Sequence, residues 1–325
     1  MEKEHDMCEL KKDEILMGIS DFSVDEWLDK LLVDKTTGKN IIFATDDYAE
    51  YGYEKRAEMT VFAIRGMDAS AIQPRVKKSL QEQAERTKKK AEVFTPAWIC
   101  NRMNNHCDEE WFGRKDVFNK EYDTEDGRHK WAVTEGKIVF GAEQSWWDYV
   151  YSKRLEITCG EAPYIVSRYD ASTGEAIPLR CRIGILDRKM RVVDENTDTE
   201  EEWLEWAYKA FQATYGYEFQ GDNLLIARIN VLLSFVEYMQ DRWGRLPAKK
   251  EICKICNIIA WNIWQMDGLT GLIPFRTLKV EQNSLFDFAM GNEEEEQVDD
   301  TPCECRIYDW RANKSLLFNS IKHGN

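Results

Sequence analysis

Apolar and polar positions along this chain change period several times, and each change marks an element. A β-rich run from Leu155 to Thr158 enters a turn of small residues at Cys159 to Pro163, and an apolar segment of helical character follows. Trp203, Ala207, Ala210, Phe211 and Thr214 then recur at helical spacing behind a capping box of Thr199 and Glu202, in a helix that ends at Gly216. Tyr217-Glu218-Phe219 reads as a short strand carrying a carboxylate. Asp222 caps a long helix to about Trp243, which Gly244 terminates. Pro247 opens another helix, with Ile252, Ile255, Cys256 and Ile259 on one face. Asn262 to Met266 is a further strand, ending at Asp267-Gly268. Strand and helix in alternation predict an α/β fold, a mostly parallel sheet with helices on both faces.

The remaining chain is less periodic. Asn40 to Thr45 and Thr60 to Arg65 read as β-like, being rich in branched or aromatic residues. Arg75, Lys77, Lys78, Arg86, Lys88, Lys89 and Lys90 collect on one expected helix. Thr95 caps a helix with Pro96 in its first turn, followed by an amphipathic stretch from Trp98 to Met103. Asp123 to Lys130 reads as an exposed loop, Lys137 to Phe140 as strand-like, Ser172-Thr173-Gly174 as a hairpin turn, and Arg182 to Leu186 as a β-rich run. These signals divide the chain into an α+β N-terminal extension with a basic helix (1–90), a cofactor-binding domain (91–292), an acidic linker (293–302) and a C-terminal segment (303–325).

Charge narrows the function classes. A net charge of −15 argues against nonspecific coating of nucleic acid. Against that background the basic helix is the most concentrated positive stretch. Arg75, Lys77, Lys78 and Arg86 are candidate phosphate contacts, weighed against a solvated face that Glu82 and Glu85 partly pair. No signal-peptide pattern and no membrane-length apolar run are seen, so a cytoplasmic protein without membrane partners is expected. Nine scattered cysteines fit reduced thiols. Cys253-x-x-Cys256 with Cys303-x-Cys305 has the ligand types for zinc, but Cys256 already reads as core, and no metal is expected.

Four stretches in one order carry a resemblance: Phe94-Thr95-Pro96, Glu156-Ile157-Thr158-Cys159-Gly160-Glu161-Ala162, Gly216-Tyr217-Glu218 and Met266-Asp267-Gly268-Leu269. Together they resemble the S-adenosylmethionine motifs of N6-adenine DNA methyltransferases of restriction–modification systems, in particular the bacterial group labelled restriction endonuclease subunit M. The resemblance implies a Rossmann-like sheet. It implies that the Thr158, Cys159, Gly160 and Ala162 turn, with Glu156, approaches the methionine part of the cofactor. Glu218 would accept from the ribose hydroxyls, Asp267 with Leu269 would serve the adenine, and Phe94, Thr95 and Pro96 would wall the pocket. Two positions depart from the pattern: Ala162 stands where glycine is usual, and Glu161 where a small residue is usual. Glu161 is therefore expected to place a negative charge near the cofactor carboxylate.

The family's catalytic Asn/Asp-Pro-Pro-Tyr motif does not occur among these 325 residues, in which no two prolines are adjacent. The resemblance thus implies the cofactor-binding portion of a methyltransferase, inactive alone, with a protein partner supplying catalysis and specificity and bringing DNA. The alternative is a shortened viral or mobile-element relative that binds a host defence complex. Its acidic runs, Glu200 to Glu202 and Glu293 to Glu296 with Asp299 and Asp300, would then imitate DNA.

Overall fold

A computed structural model describes residues 22–67, 71–79, 83–84, 86–88, 95–276 and 302–322. The expectations for Phe94, for Glu82 and Glu85, and for the acidic stretch 293–300 lie outside the described residues. The chain is mixed α/β with small sheets. After a 3-10 turn at Val24–Trp27 come α1 (Leu28–Leu31) and α2 (Val61–Gly66). Then follow α3 (Ala97–Phe112), an antiparallel hairpin of β1 (Asn119–Asp123) and β2 (His129–Val133), and α4 (Trp146–Tyr151). The central run is β3 (Arg154–Glu156), α5 (Ile185–Asn196), α6 (Glu200–Gln212), β4 (Thr214–Glu218), α7 (Gly221–Trp243), α8 (Lys249–Asn262) and β5 (Ile263–Gln265). A second antiparallel hairpin, β6 (Arg306–Asp309) and β7 (Lys314–Leu317), leads into α9 (Phe318–Lys322).

β3, β4 and β5 make one parallel sheet in sequence order, with Glu156 opposite Gly216 and Glu218 opposite Gln265. Alternation along the strands sends neighbouring side chains to opposite faces. One face joins the main core, where Ile263 packs with Trp203, Phe211, Phe235 and Ile259 of the helices. On the other, Tyr215, Tyr217, Trp264 and Met266 pack with Cys305, Ile307, Trp310 and Phe318. Helices on both faces were expected. The second face is instead covered by the C-terminal hairpin and the short α9, which supply the aromatic area a helix would have supplied.

Local chemistry explains the boundaries. Thr199 caps α6 by accepting the N–H of Glu202 at 3.2 Å. That helix stops at Gln212 rather than Gly216, because the Asn262 amide takes the terminal carbonyls of Phe211 and Gln212 at 3.0 and 3.1 Å. Thr214 is thereby freed to begin β4. α7 starts behind Gln220, not Asp222, and ends at Gly244 in the left-handed conformation at φ 66°.

Four expected strands take other forms. Thr60 to Arg65 is α2, capped by the Thr60 hydroxyl at 3.0 Å from the Ala63 N–H. Arg182 to Leu186 runs into α5, because Asp187 accepts the Gly184 N–H at 3.0 Å and opens the helix. Asn40 to Thr45 makes only isolated bridges, Val33 with Asn40 and Ile42 with Glu58. Lys137 to Phe140 is irregular, while the expected loop Asp123 to Lys130 is largely the tip of the β1–β2 hairpin. The segment after the Cys159–Pro163 turn is likewise a series of turns rather than a helix.

The N-terminal extension is fastened to the sheet by two buried side chains. Arg228 is fully buried and donates to the carbonyls of Leu31, Val33 and Ile263 at 2.5, 3.0 and 2.7 Å. Gln265 accepts the Ile42 N–H at 2.9 Å and donates to its carbonyl at 2.8 Å, as a peptide group of a neighbouring strand would. Among the described residues, no helix is long and apolar enough to cross a membrane.

Candidate functional site

The turn after β3 is built from strained backbone. Thr158, Gly160 and Ala162 have φ of 46, 52 and 65°, the left-handed region that side chains other than glycine resist. Alternating conformations of this kind fold the chain back under the carboxyl ends of β3 and β4. Two carboxylates hold it there. Glu156 accepts the N–H groups of Tyr164 and Ile165 at 3.4 and 3.1 Å. Glu218 accepts those of Gly160 and Gln220 at 2.9 and 3.1 Å.

Both carboxyls sit nine-tenths buried. Burial raises Glu156 well above the usual range, against the two N–H bonds, and the nearby Glu218 charge pushes it the same way. Burial likewise raises Glu218, against the N–H groups of Gln220, Gly160 and Phe219. Both are therefore poised to gain from a cation or a donor.

These residues border a cleft of about 1080 Å³ at the carboxyl edge of the parallel sheet. Of the expected site residues, Thr95, Glu156, Thr158, Cys159, Gly160 and Glu218 line it. Ala162 lies fully buried beneath the turn, and Pro96 stands at the start of α3. Asp267 and Leu269 are not among the lining residues. Asp267 instead accepts the Leu269 N–H at 2.9 Å in its own turn, and Leu269 projects into solvent. Sequence reasoning missed Ala44, Thr45, Asp46 and Lys55 of the extension, with Phe219, Gln220, Asn223 and Phe275. Phe219, immediately after the expected acid, was the one with a visible signal.

Glu161 lines the cleft as well, and its carboxylate accepts the Arg75 N–H at 2.7 Å and the Tyr169 hydroxyl at 2.5 Å. The Asn230 amide holds its carbonyl at 3.1 Å.

The basic run requires a correction. Arg86 is buried and pairs with Asp222 at 3.0 Å and Asp47 at 2.5 Å, while its other nitrogen donates to Gln220 at 2.8 Å. Lys78 pairs with Asp222 at 3.5 Å. Arg75 donates to the Gln83 carbonyl at 3.0 Å and to the Thr87 hydroxyl. Lys78 and Arg86, sequestered on the buried Asp222, do not present a phosphate site, and Lys77 is half-buried on its turn. These residues brace the back of the cleft instead. For Asp222 burial opposes ionisation, but Arg86 and Lys78 outweigh it and hold the carboxyl below the usual range.

The lining sets the carboxylates of Asp46, Glu156, Glu161 and Glu218 against Lys55, so the cleft suits a ligand with donors or positive charge. Among the described residues, no group of three or more His, Cys, Asp or Glu is placed to hold a metal ion. Cys256 and Cys305 are buried, and burial pushes both thiols up. No family model, curated protein or solved structure matches this chain.

Proposed function

We propose that the chain is the S-adenosylmethionine-binding portion of a DNA adenine-N6 methyltransferase, built on a Rossmann-like half-sheet. The observation that carries this reading is the placement of Glu156, Gly160 and Glu218 around one large cleft at the carboxyl edge of a parallel sheet. A sulfonium and an ammonium group offset the carboxylates that burial has destabilised, and ribose hydroxyls are donors that Glu218 accepts. Ala44, Phe219 and Phe275 give apolar surface for a base. Methyl transfer needs the Asn/Asp-Pro-Pro-Tyr motif, which these 325 residues do not contain. A protein partner provides catalysis and target recognition, and DNA reaches the cleft through it.

The alternative, capture of a host defence complex by acidic mimicry, draws no support from Glu200 to Glu202. These begin α6, where Glu200 pairs with Arg245 and Glu202 bonds back to the Asp198 N–H at 3.4 Å.

Calorimetric titration with S-adenosylmethionine tests the reading, on the wild type, on Glu218→Ala and on Phe219→Ala, with circular dichroism to verify folding. Saturable binding that both folded variants weaken supports it. No wild-type binding at millimolar ligand overturns it and favours the repurposed scaffold.

A further inference from the structure

The cleft has a wall contributed by the N-terminal extension, from Ala44, Thr45, Asp46 and Lys55. Three contacts fix this wall over the end of β4. The Gly221 N–H donates to the Phe43 carbonyl at 2.9 Å. Gln265 clasps both backbone groups of Ile42. Arg86 ties Asp47 to Gln220. Phe275 closes the same side, edge-on to Phe219 with 5.5 Å between ring centroids, and Lys55 lies 5.7 Å from its ring centre.

The other carboxylates nearby are engaged. Glu156, Glu218 and Glu161 each accept from protein donors, and Asp267 is bound up in its own turn outside the lining. Asp46 is different. It lines the cleft with an exposed side chain whose carboxylate takes no hydrogen bond among the described residues.

Resting on the cofactor reading above, we propose that Asp46, and not Asp267, accepts the exocyclic amino group of the nucleobase, which lies against Phe219 and Phe275. The arrangement separates two jobs. The aromatic rings contribute area that any base satisfies. The carboxylate discriminates, because a purine without the amino donor leaves it unmatched. The extension is then a part of the binding site rather than an appendage.

The test compares S-adenosylhomocysteine with its analogue carrying hydrogen in place of the 6-amino group, by calorimetry on wild type, Asp46→Ala and Asp267→Ala. The wild type is expected to favour the amino form by about tenfold, the worth of one charge-assisted hydrogen bond. Asp46→Ala should lose that preference while binding the deamino form as the wild type does, a pattern that a merely structural role would not give. Asp267→Ala should keep it. The inference is overturned if Asp46→Ala weakens both ligands equally or leaves the preference intact, or if Asp267→Ala is the variant that removes it. Absence of wild-type binding to either ligand overturns the cofactor reading itself, and this inference with it.

Discussion

The N–H of Gly160 donates to the Glu218 carboxylate at 2.9 Å, so one side chain ties the turn after β3 to the end of β4. The same carboxylate is the group that the resemblance gives to the ribose. A ligand hydroxyl must therefore share Glu218 with backbone donors, and the turn geometry and ligand affinity are coupled through one residue.

Glu218→Ala should cost about 2 kcal/mol of stability, because it leaves the Gly160 and Gln220 N–H groups without their buried acceptor. Glu218→Gln retains one acceptor oxygen and should cost less. Urea denaturation of the three proteins checks the order. Equal midpoints for wild type and Ala would mean that water replaces the carboxylate at no cost.

Asp222→Asn should be more severe. It takes the carboxylate from the buried Lys78 and one of the carboxylates from the buried Arg86, and losing one partner of a buried ionic group costs about 3–5 kcal/mol. The stabilisation from Asp222 is present above the ordinary carboxylate range and is lost only as pH falls through its lowered folded value. The wild-type advantage over Asn, followed by denaturation from pH 7 downward, should therefore persist through pH 5. A difference that vanishes near pH 4.5 would contradict the ion cluster.

What the sequence revealed and concealed follows from how local each signal is. α6, α7 and α8 were readable because caps such as Thr199 and Gly244 act within one turn, and because α6 and α8 each bury a periodic face. The end of α6 was not, since its stop is Asn262, fifty residues on from Gln212. The hairpin at Asn119–Val133 escaped notice because β1 is mostly polar and neither strand alternates polar with apolar residues. At Arg182 to Leu186 the branched residues suggested a strand, but Gly184 lies so close to the Ile165 carbonyl that an added Cβ would meet it at 2.4 Å. Within the site, Gly160 was legible as a turn residue and Glu218 as a strand-end acid, while Glu156 was marked only by the family resemblance. Asp46 was not legible, because its loop is brought to the cleft by long-range contacts such as the clasp of Ile42 by Gln265. Nor could composition tell that Lys78 and Arg86 turn inward, since the Asp222 that receives them is more than a hundred residues away.

Stability should also fall as pH rises through the window set by Asp194. Burial pushes its carboxyl up to about 7, against the Trp203 indole N–H and Arg242. An unfolded aspartate titrates near 4, roughly. Between these values the folded state holds a proton that the unfolded state has released, so stability declines across that range and levels off above it. Asp194→Asn lacks the slope, and should gain on the wild type by up to about 4 kcal/mol between pH 4 and pH 8. Parallel pH profiles of the two proteins in urea would rule this out.

Arg228 supplies the last prediction, because it joins the extension to the sheet with, among the described residues, no carboxylate partner in hydrogen-bond contact. Burial pulls it down to about 10, partly offset by Asp34, so it remains charged at neutral pH and is stabilised by carbonyl dipoles. Arg228→Met keeps much of the apolar stem but leaves the carbonyls of Leu31, Val33 and Ile263 without their donor. The expected cost is about 3 kcal/mol or more. Arg228→Lys should recover only part of it, since one ammonium cannot span the positions that the guanidinium fork reaches. The distinguishing readout is limited proteolysis. Loss of this clasp should expose the segment between Val33 and Thr60 to cleavage before the helical core unfolds, whereas uniform resistance in the Met variant would show that Gln265 and Ile42 hold the extension by themselves.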